Sequence, residues 1–353
     1  MIIAFDSFKG CLSSSEAGRA FADGLGQNDA SKACLLTLSD GGEGMLEAYQ
    51  AALGGQKVTL RVHDALMRPI QAAYLLQGDK AVIEVAQACG LAQIEPEQRN
   101  PLVATSYGVG ELIAHAVFNG ARHLVVGLGG TATSDCGIGL IQALIKLMGK
   151  AGDTIDNVKK RHFIGVSFTL ASDVDNPLYG ENGAAKVFAP QKGATPEMVR
   201  LIDQRARRFD AIASRHTGVS HSKDPGAGAA GGLGYALMQF FDAKKESGAE
   251  LLLRLCHFDE LLIHHDIVVT GEGCSDRQTL MGKLPGVILQ HAKRLNVPVL
   301  LRSGLIRDKE QLLQAGFTSV ASINPEGSDP AESLCPSVAK ARLASAAQHI
   351  TGD

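Results

Sequence analysis

The stretch that most restricts the fold runs from Leu124 to Gly139. There the apolar triplet Leu124-Val125-Val126 gives way to Gly127, Gly129, Gly130, Thr131, Thr133, Ser134, Asp135, Gly137 and Gly139. So short an apolar run suits a buried strand, and the glycines and hydroxyls after it suit a tight turn into a helix beginning near Ile138. Backbone without Cβ atoms can close on an oxyanion, and the free N–H groups and positive end of the following helix attract negative charge. The turn is therefore an expected phosphate or carboxylate site.

The same order of strand, turn and helix recurs. Ile2-Ile3-Ala4-Phe5 leads into Asp6-Ser7-Phe8-Lys9-Gly10, and Ser13 with Glu16 fits a capping box for the next helix. A strand over Cys34 to Leu38 ends at Ser39-Asp40-Gly41-Gly42-Glu43-Gly44 before another helix. Repetition of this unit predicts a parallel sheet.

From about Val58 the texture changes to three strands, Val58 to Val62, Gln71 to Leu76 and Ala81 to Val85, joined by short turns as in an antiparallel meander. Helical pattern returns at Gly110 to Phe118, and Met198, Leu201, Ile202, Phe209 and Ile212 are expected on one face of a later helix. After Ile267 strands and helices alternate again, through Val297 to Leu301 and Val320 to Ile323, and a last helix is expected near Ala331 to His349. At 353 residues the chain exceeds the usual size of one core. The expected fold class is α/β with two α/β domains. One is a discontinuous parallel-sheet domain from both chain ends, residues 1–60 plus 266–353; the other is an inserted mixed α/β domain, residues 61–265.

Composition narrows the function. A net charge of −3 with 5% aromatics gives no electrostatic footprint for nucleic acid. The clusters Lys159-Lys160-Arg161 and Arg205-Ala206-Arg207-Arg208 are expected to be solvated surface. Seven cysteines without a C-x-x-C pair predict neither a disulfide framework nor a zinc site, and suggest a reducing compartment. No apolar run reaches the roughly 18 residues a bilayer requires, so no membrane partner and a cytoplasmic location are expected. No G-x-x-x-x-G-K-[ST] motif exists. Gly127-x-Gly129-x-x-Ala132 matches the relaxed dinucleotide fingerprint, but no acidic residue ends a further strand about 20 positions on.

Four acidic turns follow expected strands, at Asp6, Asp40, Asp135 and Glu272, where open α/β sheets collect ligands. Asp also favours turns simply because it bonds its own backbone. A second glycine segment, Pro225 to Gly234, contains Gly226, Gly228, Gly231, Gly232 and Gly234. It suits either a backbone closing around a large ligand or tight helix packing. Asp173 and Asp175, in Ser172-Asp173-Val174-Asp175-Asn176-Pro177, suit Mg²⁺ through oxygen ligands or an ordinary turn, and Lys192 follows in a loop suited to neutralising phosphate.

Taken together, eight segments resemble the bacterial type I glycerate kinase family, in the family's order and over nearly the whole chain. They are Asp-Ser-Phe-Lys-Gly at 6–10, Ser-Asp-Gly-Gly-Glu-Gly at 39–44, Arg-Asn-Pro-Leu at 99–102, Gly-Leu-Gly-Gly-Thr-Ala-Thr-Ser-Asp at 127–135, Asp-Val-Asp-Asn-Pro-Leu at 173–178, Pro-Gln-Lys-Gly-Ala at 190–194, the glycine segment 225–234 and Thr-Gly-Glu-Gly at 270–273. The resemblance implies transfer of the γ-phosphoryl group of ATP to D-glycerate, usually giving 2-phosphoglycerate, on flavodoxin-like and restriction-endonuclease-like domains. The chain departs from the family pattern at Ser134 and Cys136, where Asn and Gly are usual, and at Cys274-Ser275, where Arg-Ile is usual; Arg277 or Lys283 is a candidate substitute for that Arg.

On that resemblance, Gly129, Gly130 and Thr131 cradle one anion, with Ser134, Ser7 and Glu272 also on the substrate and Arg99 on its carboxylate. Gly226, Gly228, Gly231, Gly232 and Gly234 accommodate ATP. Lys9 and Lys192 neutralise phosphate, Asp173 and Asp175 hold Mg²⁺, and Asp40 or Asp135 orients or deprotonates the glycerate hydroxyl, with Asp6 a further catalytic residue. The rival readings are a non-catalytic sensor of a sugar acid or nucleotide, and an NAD-dependent dehydrogenase of small hydroxy acids.

Overall fold

The computed structural model describes residues 1–26 and 31–348. In chain order its strands are β1 (Ile2–Phe5), β2 (Cys34–Leu35), β3 (Gln56–His63), β4 (Pro69–Gln77), β5 (Lys80–Glu84), β6 (His123–Gly127), β7 (Ser167–Ala171), β8 (Lys244–Glu246), β9 (Val268–Gly271), β10 (Cys274–Ser275), β11 (Val299–Ser303), β12 (Leu305–Ile306) and β13 (Ser319–Ser322). The chain divides into two compact units, Met1–Leu53 with Ala249–Asp353, and Gly54–Gly248.

The first unit is built on a parallel sheet of order β13-β11-β9-β1-β2, so strands from both ends of the chain share it. Ile2 pairs with Val268 and Phe5 with Gly271. Strands β1 and β9 are buried along their whole length, which is why they read as unbroken apolar runs rather than alternating ones. Ser13 caps the helix Ser14–Asp23: its hydroxyl accepts from Glu16 N at 3.3 Å while Glu16 Oε2 accepts from Ser13 N at 3.0 Å.

Two expectations shorten. The second strand is regular only over Cys34–Leu35, an edge position. The last helix is two, Pro330–Ser333 and Pro336–Gln348, because Pro336 lacks the N–H that would continue the first and disfavours helical backbone before it. The expected end at His349 lies outside the described residues.

The second unit carries a mixed sheet of order β3-β4-β5-β6-β7-β8, antiparallel for β3, β4 and β5 and parallel from β5 to β8. Tyr74, Ile83, Leu112, Leu124 and Leu170 lie in its core. Helices Tyr107–Phe118 and Ile138–Met148 pack so closely that a Cβ on Gly110 would stand 2.6 Å from Leu140 O.

The face expected on the helix Pro196–Thr217 needs correction. Leu201 and Ile212 are 41% and 69% exposed, and the buried stripe is Ile202, Asp203, Ala206, Asp210 and Ala213. Its two carboxylates tolerate burial because they are bonded. Asp210 accepts from Tyr179 and Tyr235, each at 2.9 Å, and from Ser220 at 2.7 Å; Asp203 accepts from Gly180 N and Arg207 Nε, each at 2.8 Å. Although burial alone pushes the Asp210 pKa up, these hydroxyls outweigh it and hold the group below the usual carboxylate range.

Candidate active site

Each unit gathers polar residues at the carboxyl ends of its parallel strands. In the first, β1 continues directly into Asp6, whose N–H still pairs with Gly271 O at 2.9 Å. Its carboxylate is thereby carried inside, 3% exposed, with Oδ1 accepting from Ser7 N at 2.7 Å. Burial first, then the Asp40 charge and more weakly Glu272, push the Asp6 pKa well above its ordinary value, against the Ser7 N–H and Lys9, which pull it down.

Lys9 Nζ stands 3.9 Å from Asp40 Oδ2, and that carboxylate raises the lysine pKa. Asp40 is held by its own turn, Oδ1 accepting from Gly42 N at 3.1 Å.

Glu272, just past β9, is fixed more completely. Oε1 accepts from Thr279 Oγ1 at 2.7 Å and Ser275 Oγ at 3.1 Å, and Oε2 faces Lys283 Nζ at 3.3 Å. With Cys274 standing where the family pattern has Arg, Lys283 is the cation against this carboxylate, while Arg277 N lies 3.3 Å from Asp308.

In the second unit the turn after β6 is an open donor surface. Gly130 has φ +71°, which a glycine adopts without strain. Among the described residues the N–H groups of Gly129, Gly130, Thr131 and Ser134 donate to no protein acceptor, and Ser134 Oγ is buried without a partner. Lys192 enters from 61 residues downstream: Nζ donates to Thr131 Oγ1 at 3.2 Å and Thr133 O at 2.7 Å, and the residue is 4% exposed. Burial lowers its pKa to about 8.

Arg99 is beside it in space. A Cβ on Gly193 would lie 2.7 Å from Arg99 O, and the arginine's Nε donates to Ile94 O at 3.2 Å. Cys136, where the family pattern has glycine, has φ +56°, a conformation glycine reaches more cheaply.

Three expectations change. Asp135 is not an open carboxylate: Oδ2 accepts from Ser106 N and Oγ, each at 2.8 Å, and Gly139 N at 3.1 Å, while Oδ1 accepts from Gly137 N at 3.0 Å. It ties the turn to two helix starts.

The glycines expected to surround ATP are packed inside the protein. Gly226, Gly228, Gly231, Gly232 and Gly234 are all buried. A Cβ on Gly231 would meet Thr133 O at 2.0 Å, one on Gly228 Pro177 O at 2.3 Å, and one on Gly234 Gly226 O at 2.2 Å. The segment packs backbone against backbone on the anion turn, which is what its glycines are for.

Asp175 is paired with Lys245, and among the described residues no three His, Cys, Asp or Glu side chains converge on a metal position.

Sequence reasoning also missed a cavity of about 620 Å³ in the first unit, formed by the segments that follow β1, β9, β11 and β13. Phe8, Lys9, Leu305, Ile306, Ile323 and Leu334 are among its walls. The segments are too far apart in sequence to form a motif. Their only shared signal is that each follows a strand. Among the described residues no helix is long and apolar enough to cross a membrane.

Residues 1–352 match the glycerate kinase family. The chain is 38% identical to the glycerate kinase of Halalkalibacterium halodurans over 92% of its own length and 90% of that protein's. It is 36% identical to the glycerate 2-kinase of Escherichia coli, covering 92% of this chain and 90% of the relative. A crystal structure assigned to glycerate kinase 2 of Salmonella typhimurium superposes with a TM-score of 0.80 at 36% identity, covering 99% of this chain and 96% of that one.

Proposed function

Because the chain belongs to the glycerate kinase family, a family of phosphotransferases, we propose that it transfers the γ-phosphoryl group of ATP to the 2-hydroxyl of D-glycerate, giving 2-phospho-D-glycerate in sugar-acid catabolism. The observation that carries this reading is the turn 129–134 with Lys192 beneath it. Free N–H donors, an unpartnered buried hydroxyl and a buried ammonium are what a small, strongly solvated anion needs in exchange for its water.

Phosphoryl transfer asks mainly for positioning and for neutralisation of charge. The glycerate carboxylate is assigned to Gly129, Gly130, Thr131 and Ser134, with Lys192 and Arg99 as its cations. Lys9 is assigned to the transferred phosphate. Asp6 is assigned to the substrate hydroxyl's proton, because a carboxylate whose pKa is raised above its ordinary value is a stronger general base when ionised. Asp40 sets the position of Lys9, and Glu272 with Ser7 lines the same strand ends. Mg²⁺ is proposed to enter with the nucleotide phosphates, since kinases commonly hold it through those oxygens and one or two carboxylates rather than in a protein cage.

ADP release measured with a coupled assay tests the reading. It should require D-glycerate. ATP hydrolysis indifferent to D-glycerate, or no turnover in its presence, would reject it.

A further inference from the structure

We infer that the cavity in the first unit is the purine pocket for the nucleotide, with the triphosphate leading out toward Lys9. This rests on the kinase reading above, which leaves the base of ATP without a place once the 226–234 segment is seen to be packed.

Position is the first argument. The cavity is formed by the segments leaving the carboxyl ends of β1, β9, β11 and β13, where open parallel sheets collect ligands. Size and lining are the second. At about 620 Å³ it falls within the roughly 300–1,000 Å³ typical of small-molecule sites. A three-carbon acid with oxygen on every carbon would fill little of it and leave the exposed side chains of Leu305 and Leu334 uncovered. A purine offers two apolar faces and a polar edge.

The walls are prepared for such a ligand. Leu305 and Leu334, at 45% and 57% exposure, hold large hydrophobic side chains in water at the cavity. The polar side is locked: Asn324 Nδ2 and Ser322 Oγ donate to Gly304 O at 2.7 and 3.0 Å, and Arg342 Nη1 donates to Asn324 Oδ1 at 2.8 Å. Gly304 itself tolerates no side chain, since a Cβ would stand 2.6 Å from Gly273 O. Lys9 completes the case, because it lines the cavity and lies 3.9 Å from Asp40. One cation therefore joins an apolar chamber to the acidic strand ends, the order in which a nucleotide carries its base and its phosphates.

The test is a fluorescence titration of the full chain with MANT-ATP in the absence of glycerate, alongside steady-state kinetics. The variants are Leu305→Arg, Leu334→Arg and Ile323→Trp. The first two change exposed side chains and should melt like the parent. The expected result is a rise of tenfold or more in the MANT-ATP Kd for all three, with KM for D-glycerate within twofold. An unchanged nucleotide Kd in the two Arg variants overturns the inference, as does a tenfold rise in glycerate KM in place of the nucleotide effect. The two readings fail separately. A parent that binds MANT-ATP through this cavity but phosphorylates no glycerate keeps the pocket and loses the reaction, whereas glycerate turnover with cavity-insensitive nucleotide binding does the reverse.

Discussion

Replacing Lys192 by Met separates the cost of a buried ammonium from its use. Lys192 titrates at about 8 where an unburied lysine titrates at 10.5, because burial removes the ammonium's water and the nearby Asp135 charge restores only part of the loss. Between those two values the unfolded chain holds the proton and the native chain has released it, so native stability climbs as pH rises from 8 to 10.5. At ~1.4 kcal/mol per pH unit the climb amounts to roughly 3 kcal/mol. Met has similar length and no charge, so it abolishes the climb.

Near pH 7 the variant also escapes the cost of the buried charge, which offsets the penalty of about 1–3 kcal/mol for leaving Thr133 O unsatisfied. Urea unfolding of both proteins in half-unit steps from pH 7 to 10.5 reads the effect. The stability difference, parent minus variant, should grow by roughly 3 kcal/mol across the interval, while kcat/KM for glycerate falls about a hundredfold or more at pH 7. Parallel stability curves would refute the buried-charge reasoning, and unimpaired catalysis would remove Lys192 from the anion site.

Converting Lys9 to Ala should lower kcat/KM by about a hundredfold, a loss of roughly 3 kcal/mol of transition-state stabilisation; a folded variant with parental kinetics would exclude it. Asp6→Asn should lose kcat yet melt a few degrees higher at pH 7. The native state holds the Asp6 proton more tightly than the unfolded chain, so the stability gained in acid is lost as pH rises through the raised pKa, and an amide never ionises. Differential scanning calorimetry showing a lower Tm would contradict this. Gly231→Ala forces φ +67° on a residue with a Cβ and sets that atom 2.0 Å from Thr133 O. It should cost about 3 kcal/mol or more and weaken glycerate binding while leaving the MANT-ATP Kd unchanged, whereas a raised nucleotide Kd in a fully stable variant would return the segment to ATP.

The strand β5 was legible because it closes a meander of short turns, and β1, β6 and β9 because buried parallel strands are continuous apolar runs ending in glycine or acid. The turn 127–139 was legible for the same reason, together with its glycines. Less visible was which polar groups are spent inside the protein. Asp135 and Asp40 look alike in sequence, yet Asp135 is saturated by donors from residues 106 to 139, while Asp40 faces a lysine 31 positions away. Glycine content alone does not distinguish a backbone that approaches a ligand from one that approaches another backbone, and at 226–234 the second holds. On the helix Pro196–Thr217 the apolar pattern misplaced the face because two of its buried positions are aspartates, paid for by tyrosine, serine and arginine partners. Lys192 meets Thr131 only through tertiary folding, beyond the reach of any local spacing.

Phosphorus NMR of a reaction containing the full chain, Mg-ATP and D-glycerate tests phosphoryl transfer to the 2-hydroxyl most directly. Loss of the γ-phosphate signal should be matched by a new phosphomonoester resonance split into a doublet by the single proton on C2. A triplet, from phosphate on the CH₂ oxygen at C3, or no new phosphomonoester at all, would contradict it.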